Sequence, residues 1–364
     1  SLGELVDVCD KALRQLCKPM RLANAQVSIG ACAGARLLGE DAPDVDQALR
    51  DADAALYFAK RNDMIETKLF DAEIRDKNKR LHAIETALLE EGALDQLSLA
   101  YQPIFNLRTG QLSSFEALAR WEHPVLGNIS PGQFIPIAER IGCIRPITLA
   151  LLSRAVDFAA EWPASCRLSF NLSAAHICGG DAASEIVALI KQKNYPAERL
   201  QLEITETAML VDFATARRNV DMLREAGCRV ALDDFGAGFA SLVYLREIRF
   251  DKVKIDGSLI KRARHPQGRD MLRGVVKMIA AMKLESVAEF IATSGDRETA
   301  RELGAEFGQG YHLGYPLDEE GTRDLLAQYH WPHSTKVRSL ANWELDRQEA
   351  LAPSARPLPL TREK

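Results

Sequence analysis

From residue 97 onward the chain repeats a pattern of a short apolar segment, a turn and a helix, and this repeat constrains the fold more than any other feature. Apolar residues recur at helical spacing between the segments, for example Leu272, Val276 and Ile279. Strands that alternate with helices form a mostly parallel sheet, and units spread over residues 91–332 match the roughly 250 residues of a closed barrel. An open doubly wound sheet is the alternative. The eight strand candidates cover residues 97–105, 112–121, 167–172, 200–206, 228–233, 252–256, 284–289 and 306–310.

One pair of strand candidates departs from the parallel pattern. Only a short turn around Arg108 and Gly110 joins segments 97–105 and 112–121. A parallel connection needs a crossover of a dozen or more residues, so this pair is predicted to be antiparallel. We therefore predict an α/β protein with a (β/α)8 barrel of the TIM type that contains one antiparallel strand.

The residues before the barrel predict a smaller α+β piece. Residues 26–34 have the composition of a strand, and residues 45–61 carry alanine and leucine at helical spacing. A piece with one clear strand cannot supply a full core, so it is predicted to be part of a domain. The predicted organisation is this partial domain at 1–75, a linker helix at 76–92, the barrel at 93–332, and a tail at 333–364 that is helical and then disordered.

Polar side chains stand at or near the ends of six strand candidates. In a (β/α)8 barrel the loops that follow the strands carry the active site. A single acidic residue at a strand end is often a helix N-cap, but polar residues in so many units favour a shared site. These residues are Glu116, Asn171, Glu203, Asp233, Lys254 and Glu289.

The chemistry of these side chains predicts a metal-dependent hydrolase. Carboxylate and amide oxygens are hard donors that suit Mg²⁺ or Mn²⁺. Asp233 and Asp234 are adjacent, and two close carboxylates repel each other unless a cation lies between them, so we expect two ions. Lys254 would orient water or stabilise charge, and Glu289 would act as a base or metal ligand. A barrel lyase or racemase that uses Lys254 and Asp256 with one metal is the alternative.

Composition limits the cellular location and the binding partners that we expect for the chain. Its net charge of −5 gives no general attraction to DNA or to an anionic membrane. Seven scattered cysteines without a C-x-x-C pair fit a reducing cytoplasm. No apolar run approaches the roughly 18 residues of a membrane span. We expect a cytoplasmic protein, or the cytoplasmic part of a larger, membrane-anchored sensor.

Several motifs occur in a fixed order between residues 101 and 311. They are YQPI (101–104), EAL (116–118) with RW (120–121) and HP (123–124), NLS (171–173), LEITE (202–206), ALDDFGAGFASL (231–242), KID (254–256), VAE (287–289) and QGY (309–311). Together they resemble the EAL family of cyclic di-GMP phosphodiesterases. Two earlier motifs, VSIGA (27–31) and LRDADAALYFAKRN (49–62), resemble the C-terminal part of a GGDEF domain, whose signature loop this sequence lacks.

The EAL resemblance implies hydrolysis of cyclic di-GMP to linear pGpG with Mg²⁺ or Mn²⁺. It also implies a homodimer formed through the barrel, and it places Glu206 as a brace for the loop that begins at Asp234. Lys254 and Glu289 would act on the attacking water. The implied metal ligands are Glu116, Asn171, Glu203, Asp233 and Asp234, and the residues implied near the substrate are Gln102, Leu118, Arg120 and Gln309.

Two departures from the family pattern bear on turnover. In the loop after Asp234, Ala237 lacks the hydroxyl that the family usually has. In VAEFIAT, Phe290 fills a glycine position and Ala292 removes a second glutamate. Ala292 and the incomplete GGDEF-like region motivate an alternative, a catalytically weak or inactive EAL domain that acts as a receptor for cyclic di-GMP. Retention of every metal-binding position favours the enzyme.

Overall fold

The computed structural model describes residues 2–22, 25–27, 29–37, 44–61, 67–237 and 241–329. The chain divides into two compact units, residues 1–91 and 92–364. The tail helix predicted within residues 333–364 lies outside the described residues. No helix among the described residues is both long and apolar enough to cross a bilayer.

Among its described residues, the first unit contains short strands and three helices. Residues 26–34 do not form the single predicted strand, since one short strand ends at Val27 and another begins at Ala33. Gly34 permits close packing, because a Cβ there would lie 2.1 Å from the carbonyl oxygen of Ala52. The elements are α1 (Leu2–Leu16), β1 (Met20–Leu22), β2 (Ala25–Val27), β3 (Ala33–Ala35), α2 (Val45–Arg61), β4 (Thr67–Leu69) and α3 (Ala72–Leu89). Strands β1 and β2 pair antiparallel, and β3 and β4 pair parallel.

The second unit is a closed barrel of eight strands. All eight predicted strands are confirmed, with ends that differ from the predicted ones by no more than two residues. The nine strands of this sheet are β5 (Leu97–Asn106), β6 (Leu112–His123), β7 (Gly127–Ile129), β8 (Arg167–Leu172), β9 (Leu200–Thr205), β10 (Arg229–Phe235), β11 (Lys252–Ile255), β12 (Glu285–Ala288) and β13 (Phe307–Gly308).

The order of pairing closes the barrel around β5. This strand pairs antiparallel with β6 on one side and with β13 on the other, and the remaining neighbours in the ring are parallel. The predicted antiparallel strand is therefore β5, and an open doubly wound sheet is excluded. Strand β7, which was not predicted, forms a hairpin with β6 outside the ring.

Helices connect most of the strands. They are α4 (Pro131–Arg140), α5 (Ile144–Ala159), α6 (Ala174–Ile177), α7 (Ala182–Gln192), α8 (Glu206–Val211), α9 (Phe213–Glu225), α10 (Ser241–Glu247), α11 (Gly257–Arg262), α12 (Pro266–Ala281), α13 (Ser294–Glu302) and α14 (Glu319–Gln328). Short 3₁₀ turns at Ala93–Gln96 and Ala197–Arg199 lead into β5 and β9.

The alternation along β9 shows how the barrel sorts its residues. Leu200, Leu202 and Ile204 are fully buried. Gln201 and Glu203, on the opposite face of the strand, are also buried and are joined by a hydrogen bond of 3.0 Å from Gln201 Nε2 to Glu203 Oε1. The apolar face is thus available to the surrounding helices, while the other face carries polar groups into the barrel.

Candidate active site

A buried lysine lies at the centre of the predicted site. Lys254, on β11, is 1% exposed, and its Nζ contacts four carboxylates that come from four other segments of the barrel. Burying five ionisable groups together is costly unless the charges compensate each other. The distances from Nζ are 2.6 Å to Glu203 Oε2, 2.9 Å to Glu289 Oε1, 3.2 Å to Glu116 Oε2 and 3.2 Å to Asp233 Oδ1.

The parallel register brings these side chains together. Asn171 on β8 pairs with Glu203 on β9, and Thr205 pairs with Asp233 on β10. Asn171 Nδ2 donates a hydrogen bond of 2.5 Å to Glu116 Oε1. The six polar residues that the sequence placed at strand ends therefore form one connected cluster.

The chain turns sharply after Asp233. Asp234 adopts φ 58°, and its N–H donates to Asp233 Oδ1 at 3.0 Å. This left-handed backbone is uncommon for a residue other than glycine, although aspartate tolerates it better than most residues do. Carboxylate oxygens of Asp233, Asp234 and Glu289 lie within 4.8 Å of one another. The turn thus allows both adjacent aspartates to reach one point.

The cluster carries more negative charge than Lys254 can neutralise. Burial raises the pKa of Glu203 to about 7 and that of Glu289 to about 8, against the attraction of Lys254. Burial and the charge of Asp233 raise the pKa of Asp234 to about 6. Burial also opposes ionisation of Glu116, but Lys254 and the amides of Gln309 and Asn171 outweigh it and lower the Glu116 pKa.

Lys254 itself stays protonated. Burial favours the neutral amine, but the attraction of the surrounding carboxylates is stronger and raises the Lys254 pKa well above its usual value. An ammonium fixed among carboxylates is a structural counter-ion, and it stays within reach of any group that enters the site.

The donor set fits hard divalent cations. With all five carboxylates ionised, the single ammonium leaves four negative charges, which two divalent cations would neutralise. The donors are oxygens throughout, as Mg²⁺ and Mn²⁺ prefer. The five carboxylates are Glu116, Glu203, Asp233, Asp234 and Glu289.

A cavity of about 440 Å³ opens over the cluster. Its wall includes the four residues that were predicted to lie near the substrate, Gln102, Leu118, Arg120 and Gln309. Gln309 Nε2 donates to Glu116 Oε2 at 2.6 Å and to Gln102 Oε1 at 3.1 Å. Arg120 is half-buried, and its Nη1 donates to the carbonyl of Ala119 at 2.9 Å. These side chains place hydrogen-bond donors beside the carboxylates.

Three of the predicted site residues do not line this cavity. Glu203 lies beneath it and is fully buried. Asn171 lines a neighbouring, mostly apolar cavity of about 340 Å³. Glu206 accepts a hydrogen bond of 3.4 Å from the N–H of Gly236, two residues after Asp234. Residues 238–240 of this loop lie outside the described part of the chain.

The loop after β12 is anchored through Asp296. Asp296 accepts hydrogen bonds from the N–H groups of Ala292 and Thr293, and Thr293 in turn caps α13. Arg264 donates two hydrogen bonds to the same carboxylate, at 2.9 and 2.8 Å. This anchor fixes the segment that follows Glu289.

Sequence reasoning did not assign a site role to some residues of the cavity wall. Lys261 and Tyr311 line the cavity, as does Phe290, which was noted only as a departure from the family pattern. Lys261 falls on α11, after a strand-end motif, where no sequence signal distinguishes it from a solvated helix lysine. Tyr311 closes the QGY motif, and its position in that motif was a usable signal.

Comparison with known proteins identifies relatives of the barrel. A family model described as EAL domain matches residues 83–316. An uncharacterised protein of Sinorhizobium fredii is 33% identical over 332 residues, which cover 89% of this chain and 38% of that protein. A cyclic di-GMP phosphodiesterase of Pseudomonas aeruginosa is 28% identical over 328 residues, which cover 89% of this chain and 56% of that one. This chain spans 38% to 49% of the length of the first curated relatives that it matches.

Solved structures share the fold. The PaMucR phosphodiesterase in complex with c-di-GMP is 30% identical, with a TM-score of 0.61 over 67% of this chain and 99% of that one. The EAL enzyme Bd1971, with cAMP and cyclic di-GMP bound, is 25% identical, with a TM-score of 0.64 over 79% of this chain and 77% of that one.

Proposed function

This chain belongs to the EAL domain family, and on that premise we propose that it is a metal-dependent phosphodiesterase that hydrolyses cyclic di-GMP to linear pGpG. Homologues named as cyclic di-GMP phosphodiesterases and a phosphodiesterase solved with c-di-GMP support the activity and the ligand. The chain spans only part of those curated homologues, so regulation and partners of the whole protein belong to the proposal as well.

The observation that carries the proposal is the charge excess around Lys254. Four carboxylates contact one ammonium, and Asp234 adds a fifth at the cavity wall. A purely structural ion-pair cluster would not be expected to have more carboxylates than cations, because each unpaired buried charge is destabilising. A site that binds divalent cations requires it.

We propose that the five residues indicated by the family motifs bind two ions, which are Mg²⁺ or Mn²⁺. When bound there, such ions would activate water and stabilise charge on the phosphoryl oxygens. The ligand set is Glu116, Asn171, Glu203, Asp233 and Asp234.

The remaining side chains have separate roles. Burial raises the pKa of Glu289 to about 8 in the metal-free site, and once this carboxyl is ionised it would accept a proton from the attacking water. Lys254 holds the carboxylates in place and orients that water. Arg120 offers two parallel donors to a phosphate, and the amides of Gln102 and Gln309 position the substrate. Glu206 braces the loop that begins at Asp234.

Incubation of purified protein with cyclic di-GMP and Mn²⁺, with chromatography of the products, tests the proposal. We expect pGpG to appear, to vanish with EDTA, and to fall by about 10²–10⁴-fold in Lys254→Met. Lys252→Met is the matched control, because Lys252 is a buried lysine of the same strand whose ion pair is with Glu285 and whose charge acts on Glu203 only at longer range. Equal loss in both variants, or no pGpG from the wild type, would contradict the proposal.

A second candidate function is a receptor that binds cyclic di-GMP without cleaving it. Ala292 lines the cavity at a position where the family usually has a second glutamate, so that carboxylate is missing from the site. Tight binding measured by calorimetry, together with no pGpG, would favour the receptor.

For the rest of the chain, we propose that residues 1–75 are the C-terminal part of a GGDEF domain, residues 76–92 a linker helix, and residues 93–332 the catalytic barrel. We further propose a homodimer formed through the barrel. Sedimentation of the purified chain gives its oligomeric state, and a monomer at micromolar concentration would contradict the dimer.

A further inference from the structure

Phe290 has a conformation that a phenylalanine rarely adopts. Its φ is 53°, and an aromatic side chain in this region costs about 1–2 kcal/mol in backbone strain. Among the described residues, three other non-glycine residues have positive φ. Asn194 and Lys283 follow the ends of α7 and α12, where left-handed residues are common, and Asp234 belongs to the acidic cluster.

The ring of Phe290 is exposed in spite of this strain. Its relative exposure is 59%, so burial of the ring in a core does not offset the strain. The ring lines the same cavity as Asp234 and Lys254. Residues with strained backbones cluster at active sites and ligand-binding sites, and this one lies beside the acidic cluster.

Helix α11 gives the ring a fitted support. A Cβ on Gly257 would lie 2.5 Å from Phe290 Cβ and 2.6 Å from the ring, so the absence of a side chain there makes room for Phe290. Lys261 lies one turn later on the same side of the helix, and its Nζ is 5.8 Å from the ring centroid. The ring rests against this face of α11 while much of its surface stays open.

The backbone on both sides of Phe290 is held by hydrogen bonds. Glu289 N–H donates to Ile255 O at 3.1 Å, and Ile291 N–H donates to Gln309 O at 3.0 Å. The anchor at Asp296 follows within the same loop. The backbone that carries the ring is therefore fixed at the cavity wall, and a preorganised backbone reduces the entropy that is lost when a ligand binds.

We infer that Phe290, at a position where the family usually has glycine, is a substrate-binding residue, a stacking platform for one base of a cyclic dinucleotide, with Lys261 adding positive charge beside it. The inference rests on the proposed function for the identity of the ligand. Nucleobases stack on aromatic rings irrespective of sequence, and the phosphates of such a ligand would find Lys261 on this side and the metal site below. Phe290 takes no part in the chemical step.

Three substitutions at one position separate stacking from strain and from apolar contact. Phe290→Tyr keeps the ring, Phe290→Leu keeps apolar bulk and strain, and Phe290→Gly removes the ring and relieves the strain, so the glycine variant is expected to fold. Titration calorimetry with cyclic di-GMP should give a Kd within about twofold of the wild type for Phe290→Tyr. The leucine and glycine variants should bind about tenfold more weakly, which lies within the range of effects that loss of a base–aromatic stack produces.

Cyclic di-AMP in the same titrations should be affected to the same degree, since stacking does not read the base edge. The value of kcat at saturating cyclic di-GMP should stay within about twofold in every variant. Val125→Ala, at an exposed apolar residue outside the cavity wall, is the control for general loss of surface apolar area.

The outcomes distinguish this inference from the proposed function. Weaker binding in Phe290→Leu by a protein that forms no pGpG would uphold the platform and remove the enzyme. Normal binding in Phe290→Leu and Phe290→Gly, with pGpG formed, would overturn the platform alone. A wild type that neither binds nor cleaves cyclic di-GMP would overturn both.

Discussion

At the scale of single residues, the carboxyl groups around Lys254 link the site to the stability of the protein. Glu203 and Glu289 titrate near pH 7 and 8 because they are buried, whereas a glutamate in an unfolded chain titrates near 4.5. Between these values the folded protein binds more protons than the unfolded chain does. These two groups therefore lower the free energy of unfolding of the metal-free protein as the pH rises through this window.

We expect the midpoint of urea unfolding of EDTA-treated protein to be higher at about pH 5.5 than at about pH 8.5. Mn²⁺ should raise the midpoint most at the alkaline end, because cations bind the deprotonated carboxylates. Glu289→Gln, which cannot ionise, should flatten the profile between about pH 7 and 8.5. A metal-free midpoint that rises through this range would show that the carboxylates are already ionised.

The single-residue features that could be predicted from the sequence were those with a chemical requirement. Six polar residues at strand ends indicated one shared site, because each residue type either binds a hard cation or balances charge beside it. Lys261 was not predictable, since its place at the cavity depends on the direction of α11. The role of Phe290 was also hidden, because neither its φ nor the space above Gly257 can be read from residue types.

At the scale of elements, the loop after β12 connects the site to the outer helices through one carboxylate. Burial opposes the ionisation of Asp296, but its hydrogen bonds from Arg264 and Thr293 outweigh it and lower the Asp296 pKa. The same carboxylate holds the N–H groups of Ala292 and Thr293. Asp296 thus anchors the loop that carries Glu289 and Phe290.

We expect Asp296→Ala to lower the free energy of unfolding by about 2–3 kcal/mol, because charged hydrogen bonds and a capping box are lost together. We also expect a loss of pGpG formation that exceeds the loss of folded protein. Arg264→Ala is the matched comparison and should have a smaller effect, since the Arg264 side chain is 52% exposed. Chemical denaturation measures the stability of both variants, and product assays at saturating Mn²⁺ measure their turnover. Unchanged turnover in Asp296→Ala would show that the anchor does not affect the site.

Elements with a strong pattern were predicted well, and short ones were not. Most barrel strands were recognisable because helices with apolar faces separate them, and β5 and β6 were recognisable from the short turn between them. Strand β7 has only three residues and escaped notice. Residues 26–34 seemed to form one strand because small and β-branched residues fill it, whereas the chain uses its ends in two different pairings.

At the scale of the whole molecule, the chain divides into two compact units. Residues 1–91 and 92–364 each have their own network of contacts, and the acidic cluster lies wholly in the second. We expect calorimetry to show that Mn²⁺ raises the transition of the barrel and leaves the unfolding of residues 1–91 unshifted, because a ligand stabilises only the unit that binds it. A single transition that moves as one with Mn²⁺ would show that the two units unfold together.

The strand that completes the barrel also reaches the ligand cavity. Strand β13 has two residues, and the next residue, Gln309, donates to both Glu116 and Gln102 across the last seam of the cylinder. The shortest strand of the barrel thus leads directly into the cavity where a dinucleotide would bind. A ligand in the cavity should stabilise the pairing of β13 with its neighbours. Amide protons of residues 307–310 would then exchange more slowly when the substrate is bound.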